Sequence, residues 1–309
     1  MNRALTLALA IAIDRVAGDP PTRLHPVGAL GALARALEVV APARAEGRRR
    51  YGLGAAVALP LLSATTAALL PALFGARRGP ARTAVDAGLL SLGFALRTLL
   101  DRVREVEDAL GHDDLEEARA LLARHLVSRD VSSLGPGEVA AAAIESLAEN
   151  LSDSVIAPWL WYAAGGLPAA WVYRAANTLD ALWGYRTERY RDLGEAAARA
   201  DDVLNLVPAR LTALAICAAA IRHGAGARAL RHWRLDAGRT ESPNAGHPMA
   251  AMAGALGVQL GKRGVYVLGE GLRAPTSADI SRARRIASEA AALTAGALIA
   301  ALAAAKLRP

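Results

Sequence analysis

The sequence predicts an all-α, polytopic helical membrane protein with broken or re-entrant helices and one amphipathic helical hairpin. Three observations lead there. Of 309 residues, 53% are hydrophobic and 21% charged, the mean hydropathy is +0.24, and the apolar residues gather into runs of bilayer length. No stretch alternates apolar and polar residues with period two. Polar motifs rich in Asp, Asn, Gly and Pro interrupt or border the apolar runs. The composition excludes a disordered or low-complexity chain. A lone cysteine, Cys217, excludes an intramolecular disulfide and a Cys-rich zinc or iron–sulfur site.

Taken in order, Arg3 and the apolar residues 4–13 imitate a signal peptide. Asp14, Arg15 and the turn-forming Gly18-Asp19-Pro20-Pro21 follow without an A-x-A site, so the segment is expected to stay as a first membrane-associated helix. Residues 51–76 form an uncharged run of 26 between Arg48-Arg49-Arg50 and Arg77-Arg78, long enough to span a bilayer. Pro60 and Pro71 inside it are tolerable where neighbours satisfy the freed carbonyls. Arginines flank both ends, so the positive-inside rule assigns no orientation. A polar hairpin is expected at about 98–130, with Leu99, Val103, Val106 and Leu110 on one helical stripe and Leu115, Ala118, Leu122 and Leu126 on the next. Residues 154–173 are uncharged but contain Pro158, Gly165, Gly166 and Pro168, the pattern of two half-helices. Residues 203–221 and 290–305 supply further apolar segments. The arginines of 222–239 have few aromatic companions, so lipid headgroups rather than nucleic acid explain them.

Ionisable groups beside apolar runs are costly and mark a site. Four polar segments qualify. The first runs from Asp14 to Gly28 and contains His25, a base or a substrate contact unless it merely closes a capped turn. The second holds Glu145, Glu149 and Asp153 at i, i+4 and i+8, one carboxylate face of a helix that suits Mg²⁺, with Asn150 beside it. The third combines Asn177 and Asp180 with Tyr185, Arg186, Asp201, Asp202, Asn205 and Arg210, carboxylates and arginines able to enclose metal-bound phosphates. The fourth is the rigid loop Ser242-Pro243-Asn244-Ala245-Gly246-His247-Pro248. The glycine-rich 257–263 and 269–271 lack the spacing of a P-loop or a dinucleotide fingerprint, and no H-E-x-x-H or G-x-S-x-G occurs.

Five of these segments together carry a resemblance. D-R-x-x-G-D-P…H-P-V (14–27), E-S-L-A-E-N-x-x-D (145–153), N-T-L-D…G-Y (177–185), D-D-V-x-N-x-x-P-A-R (201–210) and S-P-N-A-G-H-P (242–248) stand in the order found in the CobD/CbiB family. The chain resembles that family from near its start to about residue 260, departing mildly at Ser154, where glycine is expected. The resemblance implies a multi-pass enzyme of the bacterial cytoplasmic membrane, adenosylcobinamide-phosphate synthase of cobalamin biosynthesis. Such an enzyme joins aminopropanol or its phosphate to a propionate of adenosylcobyric acid as an amide, which calls for ATP and Mg²⁺ to activate the carboxylate. On that implication His25, Glu149, Asp153, Asp180 and His247 serve the chemistry, and Glu145, Asp153, Asp201 and Asp202 hold the metal. Asp14, Asn150, Asn177, Tyr185, Arg186, Asn205, Arg210, Ser242 and Asn244 then bind substrate. The expected partners are the corrinoid, the amine and the lipid bilayer, with no nucleic acid. Two other classes share these features. A membrane corrinoid transporter or scaffold also places charges in broken helices but forms no product at the expense of ATP. A Mg²⁺-dependent membrane prenyltransferase repeats one Asp-rich pattern in two halves, whereas the two acidic motifs here differ.

Overall fold

The computed structural model describes residues 2–21, 25–76, 78–185 and 187–306. Among them the chain is helical almost throughout: α1 (Arg3–Ala17), α2 (Pro26–Val39), α3 (Ala45–Leu73), α4 (Gly79–Ser91), α5 (Leu96–Gly111), α6 (Leu115–His125), α7 (Pro136–Leu151), a π turn (Ser152–Ile156), α8 (Ala157–Trp183), α9 (Glu195–Ile221), α10 (Gly226–Asp236), α11 (Gly246–Leu256) and α12 (Ser277–Lys306). One small hairpin, β1 (Leu260–Lys262) antiparallel to β2 (Tyr266–Leu268), departs from the expectation of no strands. Each strand is three residues, too short to show an alternation. The all-α membrane class stands.

Among the described residues four stretches are long and apolar enough to cross a membrane: Ala45–Leu73, Gly79–Gly111, Glu195–Ile221 and Ser277–Lys306. Three overlap the expected runs 51–76, 203–221 and 290–305. The second lies outside those runs, its apolar residues diluted by Arg82, Asp86 and Arg97. Asp86 is fully buried, and its carboxylate takes both of its bonds from Arg82 on the same helix at 2.8 and 3.0 Å. The polar hairpin is present as α5 and α6, with Leu99, Val103, Val106, Ala118 and Leu122 buried along the expected stripes.

The chain divides into two compact units. One comprises residues 1–95, 157–205 and 295–309, the other 96–156 and 206–294. In the first unit Ala34, Ala55, Leu59, Leu179, Trp183, Leu193 and Ala197 form a buried cluster from α2, α3, α8 and the start of α9. In the second, α10 packs on α11, and α7 is buried along nearly its whole length from Val139 to Ala148.

Local chemistry sets the boundaries. The Asn2 side chain accepts the Leu5 N–H at 3.2 Å to start α1. Gly135-Pro136 opens α7, and the Glu138 carboxylate returns to the Gly135 N–H at 2.9 Å. The expected break in 154–173 is real: α8 kinks at Gly166, whose φ of 73° only glycine adopts without strain. Pro168 has no N–H for the Ala164 carbonyl, and Arg3 Nη1 approaches that oxygen at 3.5 Å and Ala163 O at 3.3 Å. Pro208 in α9 likewise frees the Leu204 carbonyl, which accepts the Trp161 indole N–H at 3.2 Å. Both prolines are thus matched by a side-chain donor, as a low-dielectric surround requires.

Candidate functional site

Expected site residues fall in both units. In the first unit the C-terminal half of α8 and the start of α9 face each other through polar groups. The buried Tyr173 hydroxyl donates to Asn205 Oδ1 at 2.9 Å. Asn205 Nδ2 donates to Asp201 Oδ2 at 2.9 Å, and Asn177 Nδ2 to Asp201 Oδ1 at 3.2 Å. Arg174 Nη1 in turn donates to Asn177 Oδ1 at 3.2 Å. Asn177, Asp201 and Asn205 are therefore brought together as expected. Two amide donors on one buried carboxylate fix its orientation. Tyr173 and Arg174 are additions. Tyr173 was legible in principle, because it lies one turn before Asn177 on the same face.

Asp202, the neighbour of Asp201, lines a cavity of about 370 Å³ with Tyr185, Tyr190, Arg191 and Arg199. Its floor is the buried Trp183. Gly194, just before α9, packs tightly against the end of α8. A Cβ on Gly194 would stand 1.8 Å from the Trp183 carbonyl oxygen, so only glycine fits there. Asp180 sits half-buried on α8, and its carbonyl accepts the Gly184 N–H at 2.7 Å. Arg186 lies outside the described residues.

Nearer the amino terminus, Asp14 is buried on α1 at 1% exposure. His25 is the N-cap of α2: its Nδ1 accepts the Val27 N–H at 3.2 Å, and its Nε2 lies 3.6 Å from Asp19 Oδ1. The imidazole thus serves the capped turn, with one ring nitrogen occupied by the backbone.

In the second unit Glu145 is 4% exposed on α7, which lies outside the four spanning stretches. Its Oε2 is 3.6 Å from Arg129 Nη2, and the Tyr266 hydroxyl hydrogen-bonds to it. Among the described residues Oε1 has no hydrogen-bond partner. Burial pushes the carboxyl up to about 7, against the opposing pull of Arg129. Burial and the Glu145 charge push the Tyr266 phenol upward as well. Glu149 is close enough to add to the rise at Glu145. The sequence carried no signal for Arg129 or Tyr266 as its partners.

Glu145 and Glu149 lie on α7, and Asp153 follows in the π turn that begins at Ser152. Such turns recur at functional sites. Asn150 spans the junction, donating to Ser146 O at 3.0 Å and accepting from Ser154 Oγ at 3.2 Å.

The Ser242–Pro248 loop is organised by Ser242, whose Oγ accepts the N–H groups of Asn244 and Ala245 at 3.2 and 3.3 Å. Asn244 Oδ1 accepts from Arg210 Nη1 at 3.4 Å. His247 Nδ1 accepts the Trp233 indole N–H at 2.8 Å. Indole is only a donor, so the neutral ring carries its proton on Nε2. Burial and Arg210 hold the imidazole pKa below its ordinary value, outweighing the Pro243 carbonyl. His247 is therefore a neutral Nε2–H donor, not a free base.

Among the described residues no three His, Cys, Asp or Glu side chains converge as a metal cage. The carboxylates fit Mg²⁺ only in its common form, with one or two protein oxygens and the rest from phosphates and water.

The family model described as CobD/Cbib protein matches residues 7–303. The chain is 43% identical over 303 residues to the cobalamin biosynthesis protein CobD of Chromobacterium violaceum, covering 93% of this chain and 92% of that one. It is 40% identical over 273 residues to the probable cobalamin biosynthesis protein CobD of Methanothermobacter thermautotrophicus, covering 87% and 88%. It is 40% identical over 294 residues to the cobalamin biosynthesis protein CobD of Mycobacterium tuberculosis, covering 91% and 90%. No solved structure matches. With the motif residues placed on helix ends and interruptions and the match running over nearly the whole chain, the protein belongs to the CobD/Cbib family of cobalamin biosynthesis.

Proposed function

We propose that the protein is a ligase of the cytoplasmic membrane that joins aminopropanol, or its phosphate, to a propionate carboxyl of adenosylcobyric acid. The observation that carries the reading is the family match over residues 7–303, which takes in all five polar motifs. A carboxylate is a poor acyl donor. In the proposed reaction its oxygen attacks the γ-phosphorus of ATP, releasing ADP and giving an acyl phosphate. The neutral amine then adds to the acyl carbon, phosphate leaves, and one amine proton passes to a base.

Mg²⁺ would neutralise phosphate charge during the first step. Asp202 is the carboxylate proposed to meet it. Asp201, with both oxygens engaged by Asn177 and Asn205, is proposed to fix the start of α9 rather than to ligate. Glu145, held near neutrality in pKa with one oxygen unspent, suits proton transfer with the amine. Arg210 and the His247 Nε2–H suit anionic oxygens of the corrinoid or of a phosphorylated amine.

The test is mass analysis of products from purified protein with adenosylcobyric acid, ATP, Mg²⁺ and each amine in turn. A corrinoid gaining the mass of the amine, with ADP in equal amount, is the expected result. Asp153→Asn and Asp202→Asn should each lower turnover by ~10²-fold or more. Wild-type turnover in both removes Asp153 and Asp202 from the chemistry. A corrinoid that is bound or moved without ATP cleavage replaces the ligase by a transporter.

A further inference from the structure

We propose that the cavity of about 370 Å³ in the first unit is the binding site of the nucleoside triphosphate, phosphates at its arginines and base on Tyr185. The inference rests on the ligase reading for its substrate and on the cavity for its place. Neither a P-loop nor a dinucleotide fingerprint is present in the sequence, so the phosphates need another cationic seat.

Among the described residues three arginines line this cavity, and they are not equivalent. Arg49 Nε is committed to Asp192 at 2.8 Å and lies 3.7 Å from Glu195. Arg199 Nη2 meets Glu195 Oε1 at 2.7 Å. Arg191 is exposed and forms no ion pair or hydrogen bond through its side chain among the described residues. Of the three it is the one without an ion pair, with a planar fork matched to phosphate oxygens.

The other lining groups complete the chemistry of a metal-bound nucleotide. Glu195 and Asp202 offer carboxylates at the same cavity, the donors Mg²⁺ takes when it rides on phosphates. Tyr185 is 44% exposed, and its ring stands 6.1 Å from that of Tyr190 at a 45° tilt. An exposed ring braced by a second one is a stacking surface for a base. Below them the backbone is closed by Gly194 against Trp183, so the cavity has a fixed floor. A lone phosphate would use the arginines and leave the tyrosines idle, as would a lipid headgroup; a nucleotide uses both sets.

The test is equilibrium binding to the full-length protein in nanodiscs without corrinoid, using Mg²⁺ with a non-hydrolysable ATP analogue and, separately, Mg²⁺ with inorganic triphosphate. Arg191→Gln should weaken both probes by roughly tenfold to a hundredfold. Tyr185→Ala should weaken the analogue about tenfold while triphosphate binding stays as in wild type, and Tyr185→Phe should bind the analogue normally. Equal analogue affinity in wild type, Arg191→Gln and Tyr185→Ala overturns the site. So does the absence of saturable analogue binding by wild type. Binding that ignores the base and is displaced as phosphatidylglycerol in the nanodisc rises assigns the arginines to lipid headgroups instead. Nucleotide binding with the expected variant pattern, alongside no amide product, would keep this site and discard the ligase.

Discussion

A carboxyl with 4% exposure and one oxygen without a hydrogen-bond partner binds its proton more tightly folded than unfolded, despite an arginine nitrogen at 3.6 Å. Glu145 titrates at about 7 in the folded protein against an ordinary 4.5. The groups that face it are Arg129, Tyr266, Glu149 and Lys262. Because the folded pKa is the higher one, its stabilising contribution is complete below about pH 4.5 and is lost as pH rises through about 7. Two and a half pKa units correspond to about 3 kcal/mol between those limits. Thermal unfolding of the detergent-solubilised protein from pH 5 to 9 should therefore show a falling midpoint that Glu145→Gln flattens. Parallel curves for the two proteins would show that Glu145 is already ionised when folded. From the sequence Glu145 could be recognised as a site residue by its spacing to Glu149. Its partners could not, since Arg129 and Tyr266 lie 16 residues before it and 121 after it.

The elements of this fold are defined as much by where helices fail as by where they run. Prolines and glycines in 154–173 announced a broken helix, and α8 bends at Gly166. The π turn was not legible, because Ser-Asp-Ser-Val-Ile carries no residue that forces wider winding. Nor could the sequence say which donor would meet each proline-freed carbonyl. At α9 the donor is the Trp161 indole, 3.2 Å from Leu204 O. Trp161→Phe keeps the packing of a large ring but strips that oxygen of its donor, a loss of about 1–3 kcal/mol. Pro208→Ala restores a backbone N–H four residues after Leu204. Introduced into Trp161→Phe, it should recover most of the lost stability, while alone it should change little. Measured as a double-mutant cycle on thermal midpoints, additive effects of the two changes would break the link between the proline and the indole.

Across the whole molecule the expected site residues divide between the two units. Asp14, His25, Asn177, Asp180, Tyr185, Asp201, Asp202 and Asn205 belong to the first. Glu145, Glu149, Asn150, Asp153, Arg210, Ser242, Asn244 and His247 belong to the second. Motif order in the sequence does not reveal this division, because each unit is assembled from separate stretches of chain. The division has a functional consequence that can be measured. On the proposed reading, groups of the first unit hold the nucleotide and Glu145 of the second serves the amine proton, so the two tasks should be separable by mutation. Glu145→Gln should bind the non-hydrolysable ATP analogue with wild-type affinity yet form product at least ~10²-fold more slowly. Arg191→Gln should lose nucleotide affinity, raising the KM for ATP by roughly tenfold or more. At saturating ATP its turnover with either amine should return toward that of wild type. Equal loss of nucleotide affinity in both variants would mean that Glu145 supports the nucleotide site and that proton transfer from the amine belongs to another group.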